Sequence, residues 1–205
     1  MIKHIIFDFG GVFLDLKGKR TGVPANLAKI FNIPEEKAVE IWQENKNDLL
    51  IGKETPKDFL VRMNALLGVS LDPDKTHESW ISLNKMEKSD INWPLVEYVE
   101  NLKDKYQIHM LTNVVALDNT NSEWYGHATK HFHNIFKSFE IGHKKPNKEA
   151  FLHVLEKINA KPEECIFIDD IQVNIEGAEK VGIKSILYIN YDDLLIKLKQ
   201  AGVEI

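Results

Sequence analysis

Short apolar runs alternate with stretches of helical periodicity along most of this chain. The runs are Ile2–Phe9, Ile108–Leu111, Cys165–Ile168 and Ser185–Ile189, with a weaker one over Phe136–Ile141. Each is too short for a helix, rich in Ile and Phe, and mostly continuous rather than alternating, as expected of strands covered on both faces. Between them, Phe151, Val154, Leu155 and Ile158 fall at i, i+3, i+4 and i+7, and so do Tyr191, Leu194, Leu195 and Leu198. Asn147, after Pro146, is the expected N-cap of the first of these helices. Strands alternating with helices predict an α/β fold, a doubly wound parallel sheet with right-handed crossovers.

One stretch breaks the rhythm. From about Lys17 to Ile91 there is no strand pattern, only helical segments. Pro34-Glu35-Glu36 begins one helix, and Thr55-Pro56-Lys57-Asp58 begins another, with Thr55 as N-cap, Pro56 at the first helical position and Asp58 in the first turn. A further helix is predicted over Lys75 to Leu83. An all-helical block after the first strand reads as a lid inserted into the core. The expected division is an α/β core of residues 1–16 and 92–205 and a helical cap of residues 17–91, with Trp42, Phe59 and Trp80 packed inside the cap.

Composition narrows the partners. The chain has 205 residues and a formal net charge of −5, which gives no electrostatic reason to expect nucleic acid or an anionic membrane surface. The basic runs, Lys17 to Arg20 and Lys144-Lys145, are short and read as loop charges. No window approaches the roughly 20 apolar residues of a membrane span. The apolar start of the chain is interrupted by Lys3, His4 and Asp8, unlike a signal peptide. Cys165 is the one cysteine, which excludes an intramolecular disulfide and a thiolate metal cluster. A cytoplasmic protein with a small-molecule partner is the expectation.

Three of the apolar runs end in polar groups of a specific kind: Asp8 on the first, Thr112-Asn113 on the second and Asp169-Asp170 on the third. Taken singly, each is a turn former or a helix cap. In an open parallel sheet, however, the carboxyl ends of the strands line the ligand crevice. Carboxylates gathered there repel one another unless protonated or bound to a cation, and an all-oxygen set suits Mg²⁺. Gly10-Gly11, just after Asp8, lets backbone approach a ligand and turn N–H groups toward an anion. Lys145, before the helix that Asn147 would cap, supplies a cation to offset phosphoryl charge.

Phe7-Asp8-Phe9-Gly10-Gly11-Val12, Leu111-Thr112-Asn113, Gly142-His143-Lys144-Lys145-Pro146 and Phe167-Ile168-Asp169-Asp170 with Asn174 resemble, in order, the four motifs of the haloacid dehalogenase-like (HAD) superfamily. The stretch from Asn174 to Gly182 fits the helix after the fourth motif, and the helical insertion resembles a type 1 cap of subclass I. Within the superfamily the sequence looks closest to bacterial sugar-phosphatase-like members, notably the α-D-glucose-1-phosphate phosphatase-like group. The resemblance implies a Mg²⁺-dependent phosphatase acting on a small phosphorylated metabolite. It makes Asp8 the nucleophile that forms an aspartyl-phosphate. The metal would lie among Asp8, the Gly10 carbonyl, Asp169 and Asp170, and the phosphate among Gly11, Thr112, Asn113 and Lys145. Asn174 would orient Lys145 or a metal-bound water.

The sequence departs from most phosphatases of the superfamily at Gly10, where they carry a second Asp as general acid/base. General acid help is worth about 10²–10⁴-fold, so its absence suits a good leaving group such as an anomeric sugar phosphate, or another proton donor, for which Asp15 is a weak candidate. Competing readings are a haloacid hydrolase, a phosphonate hydrolase using Lys37, Lys46, Lys53 or Lys57 as a Schiff base, and a catalytically silent phosphometabolite-binding module. His127 and His131, four apart on a predicted helix and followed by His133, read as a solvated helix face rather than a zinc site. Trp124 and Tyr125 are expected to pack in the core.

Overall fold

Five short strands form one parallel sheet in the computed structural model, which describes residues 1–14, 22–84, 87–116 and 123–204. The strands are β1 (His4–Phe7), β2 (Gln107–Thr112), β3 (Asn134–Lys137), β4 (Cys165–Asp169) and β5 (Lys184–Leu187), in the order β3-β2-β1-β4-β5. Between β1 and β2 lie α1 (Val23–Phe31), α2 (Glu35–Asn45), α3 (Asn47–Leu50), α4 (Pro56–Leu67), α5 (Pro73–Leu83) and α6 (Trp93–Leu102). After β2 come α7 (Glu123–Thr129), α8 (Ser138–Ile141), α9 (Lys148–Lys157), α10 (Gln172–Glu179) and α11 (Tyr191–Gln200).

Alternate strand residues enter two apolar layers. Ile5, Phe7, Met110, Ile166 and Ile168 pack with α6 and α11, whereas Ile6, Leu111, Cys165 and Phe167 pack with α9 and α10. Burial on both faces is why these strands lack a polar alternation. The predicted doubly wound α/β architecture is the one observed.

Two local expectations change. The run Phe136–Ile141 is strand only as far as Lys137, the partner of Thr112, where β2 itself ends. With no ladder left, the backbone closes into the single turn of α8. The helix predicted from Lys75 begins at Pro73, because Asp72 accepts hydrogen bonds from the N–H groups of Asp74 and Lys75 at 3.0 Å each. Thr55 caps α4 as expected, whereas Asn147 occupies the N-cap position of α9 without a side-chain capping bond.

Helices α1–α5 surround a cluster of their own that includes Leu27, Trp42, Phe59, Met63 and Trp80. The stems of this block lie side by side: Leu14 forms an antiparallel bridge with Ile91, and Asn92 N–H donates to the Phe13 carbonyl at 2.8 Å. Ile91, read as the last residue of the insertion, packs into the layer around Ile5 and Phe7 instead. Residue 17, its expected start, lies outside the described residues, as do Asp15 and the rest of the Lys17 to Arg20 run. The block meets the sheet at Val115, buried in the helical cluster, and at Asn47, whose Oδ1 accepts from Lys144 Nζ at 2.5 Å. Among the described residues no helix is long and apolar enough to cross a membrane.

Candidate active site

Strand register assembles the polar residues. Phe7 is level with Ile168 and Met110, so Asp8 emerges beside Asp169 on one side and next to the end of β2, with Thr112, on the other. Strand order reverses at β1, and a crevice outside the carboxyl ends at such a point is where open α/β sheets bind ligands.

Asp8, Asp169 and Lys145 are all buried, at 6%, 0% and 2% exposure. Lys145 Nζ lies 2.8 Å from Asp8 Oδ1 and donates to Asp169 Oδ2 at 2.6 Å. Asp169 also accepts from Ile171 N–H at 2.8 Å and from Asn174 Nδ2 at 3.1 and 3.0 Å. These four hydrogen bonds fix Asp169 in place. Asp8 Oδ1 is buried and is held in an ion pair with the Lys145 ammonium. Burial first, and then the nearby Asp169 charge, push the Asp8 carboxyl up to about 6 against the downward pull of Lys145.

Oxygens of Asp8, Asp169 and Asp170 lie within 4.8 Å of one another. Among the described residues, these three carboxylates are grouped with one lysine, Lys145. The all-oxygen donor set fits a hard divalent cation. Gly11 permits this grouping. At φ +77° it adopts a conformation natural to glycine, and a Cβ there would fall 2.1 Å from Asp170 Oδ2.

At three of the expected site positions the polar groups already bond within the protein. The Gly11 N–H, expected to face a phosphate, donates to the Leu14 carbonyl at 2.9 Å, because the turn after β1 folds back on itself. The Asn113 side chain, also expected on the phosphate, is committed at both ends to Lys145: Nδ2 donates to its carbonyl at 2.8 Å and Oδ1 accepts from its N–H at 2.9 Å. Asn174 Nδ2 donates to Asp169, the carboxylate on which Lys145 also rests.

Sequence reasoning missed Ser138, which is fully buried and ties the end of β2 to α8 by accepting from Val114 N–H at 3.0 Å and donating to the Val114 carbonyl at 3.1 Å. Only its polarity inside an apolar run marked it. The histidines do not converge. His127 is exposed on α7, while His131 lies beyond that helix, its side chain mostly buried near Glu100, and so is not on a solvated helix face. His133 accepts from Ile108 N–H. Tyr125 packs edge-on to Phe9, and Trp124 to Trp93.

Residues 2–182 match the family profile of haloacid dehalogenase-like hydrolases. The chain belongs to this family. Among curated proteins it is similar to a D-ribitol-5-phosphate phosphatase of Bacteroides thetaiotaomicron, 25% identical over 195 residues covering 90% of this chain and 91% of the relative. Among solved structures it resembles a HAD family enzyme of the same organism, with TM-score 0.75, 22% identity and coverage of 95% and 98% of the two chains. A HAD family enzyme of that organism in complex with magnesium and inorganic phosphate aligns with TM-score 0.68 at 23% identity, covering 95% and 99%.

Proposed function

We propose that this hydrolase is a Mg²⁺-dependent phosphatase of small phosphorylated metabolites of the sugar-phosphate kind, working through an aspartyl-phosphate on Asp8. The observation that carries the reading is the buried Asp8–Lys145–Asp169 cluster with Asp170 beside it at the strand-order reversal. The similar D-ribitol-5-phosphate phosphatase supports a small phosphorylated substrate, and the fold shared with the magnesium- and phosphate-bound enzyme supports the metal.

In this mechanism Asp8 attacks phosphorus, the P–O ester bond breaks, and the departing alkoxide takes a proton from solvent. Water then attacks the phosphorus of the aspartyl-phosphate, restoring the Asp8 carboxylate and releasing inorganic phosphate. Asp8, Asp169, Asp170 and the Gly10 carbonyl would hold Mg²⁺, which when bound offsets repulsion between the attacking carboxylate and the phosphate dianion. Lys145 steers Asp8 and neutralises charge on the transferring group. Thr112, at the end of β2, would donate to a phosphoryl oxygen. Residues 17–91 would act as a cap that excludes water and selects the leaving group.

A haloacid hydrolase attacks carbon without a metal and gives no reason for Asp169 and Asp170 to crowd Asp8, so we disfavour it. The test is hydrolysis of p-nitrophenyl phosphate with Mg²⁺ and with EDTA, followed by a screen of phosphorylated sugars and sugar alcohols. Turnover that requires Mg²⁺ and falls at least 10³-fold in Asp8→Asn is the expected outcome. Turnover indifferent to both would sink the reading, and no turnover on any substrate would favour the silent binding module.

A further inference from the structure

Lys144 and Lys46 face one another across the junction between the sheet domain and the helical block. Lys144 Nζ donates to Asn47 Oδ1 at 2.5 Å, and Asn47 is the residue after Lys46. Lys46 Nζ in turn donates to the amide oxygen of Gln43. Both lysines are half-buried, and among the described residues neither has a carboxylate within ion-pair distance. By contrast Lys37 is paired with Glu40 and Lys57 with Asp74. Burial, and then the charge of Lys144, hold the Lys46 ammonium below its ordinary range. Two half-buried cations that meet only neutral amide oxygens form a site short of negative charge. Lys144 precedes, in the chain, the lysine that reaches Asp8 and Asp169.

We propose that Lys46 and Lys144 together seat a second anionic group of the substrate, so that the preferred substrates are phosphate monoesters carrying a further carboxylate or phosphate. The inference rests on the phosphatase reading of the Asp8 site and specifies its substrate class. A phosphorylated sugar acid would place its phosphate at Asp8 and its carboxylate between the two ammonium groups. A neutral sugar-alcohol phosphate would leave those charges uncompensated. Charge-assisted hydrogen bonds to such an anion discriminate by about 10- to 100-fold.

The experiment compares 6-phosphogluconate with sorbitol 6-phosphate, which have the same chain length and differ in the terminal carboxylate. With wild-type enzyme and Mg²⁺ we expect kcat/KM at least 10-fold higher for the acid, expressed mainly in KM. Lys46→Met and Lys144→Met should each collapse that ratio toward one, and Lys46→Arg and Lys144→Arg should restore part of it. Thermal unfolding curves that stay superimposable separate this effect from misfolding. A wild-type enzyme that hydrolyses p-nitrophenyl phosphate but prefers neither six-carbon substrate overturns the inference and leaves the phosphatase reading standing. So do variants that lower both substrates equally. Borohydride trapping of Lys46 with a phosphonoaldehyde would overturn it in favour of a Schiff-base lysine. Failure of the phosphatase reading is separately visible, as p-nitrophenyl phosphate turnover that survives Asp8→Asn.

Discussion

The Asn113 amide takes up both backbone groups of Lys145, as a neighbouring strand would, and so fixes the point from which the lysine reaches Asp8 and Asp169. Asn113→Ala leaves a buried N–H and carbonyl without partners, at about 1–3 kcal/mol each. We expect a 10- to 100-fold loss in kcat with a smaller change in KM, measured by steady-state kinetics; an equal loss in an assay of folded fraction would assign the residue a purely structural role. Gly10 carries the opposite kind of prediction. A Cβ built there meets nothing within 4 Å, so Gly10→Asp can restore the carboxyl that most phosphatases of the superfamily have. Turnover of simple alkyl phosphates should rise at least 10-fold. If it does not, the absent general acid is not what limits this enzyme.

At the scale of elements, α10 packs against the loop carrying Lys145 with no room to spare. A Cβ at Gly177 would stand 2.5 Å from the Pro146 carbonyl oxygen, and the same helix carries Asn174. Gly177→Ala must push helix and loop apart, which we expect to cost about 1–3 kcal/mol of stability and to lower activity at temperatures where the protein stays folded. Denaturant titration alongside kinetics checks both. This contact also shows where sequence reading stops. Asp8, Thr112 and Asp169-Asp170 were legible because a polar group ending an apolar run marks the open edge of a buried strand. Asn113, Gly177 and Ser138 act through contacts with residues 24 or more positions away, and no local pattern encodes a partner that distant. The misread end of β3 has the same origin, since it is decided by where β2 stops.

For the molecule as a whole, one contribution to acid sensitivity comes from a histidine outside the site. His109 in β2 is almost fully buried, with His4 Nδ1 and Asn134 Nδ2 each 3.1 Å from its ring nitrogens. Burial, reinforced by the charges of His4 and His133, pushes its imidazole down to about 3 from 6.5. Below pH 6.5 the unfolded chain binds a proton that the folded one refuses. The contribution of His109 to stability is therefore complete above that pH and falls as pH drops toward 3, by about 1.4 kcal/mol per unit. His109→Asn should flatten the slope between pH 6 and 4 by close to one proton, as read from urea midpoints; an unchanged slope would move the sensitivity elsewhere.

Val115 joins the two halves of the molecule in a way that bears on motion. It sits two residues beyond Asn113, and its side chain is buried at 4% exposure among the apolar residues of α1–α5. Any swing of that helical block away from the sheet must withdraw the valine, at about 1.5–3 kcal/mol, or drag its loop outward and loosen the grip of Asn113 on Lys145. A swing that kept the valine seated would therefore reach the catalytic lysine through Asn113.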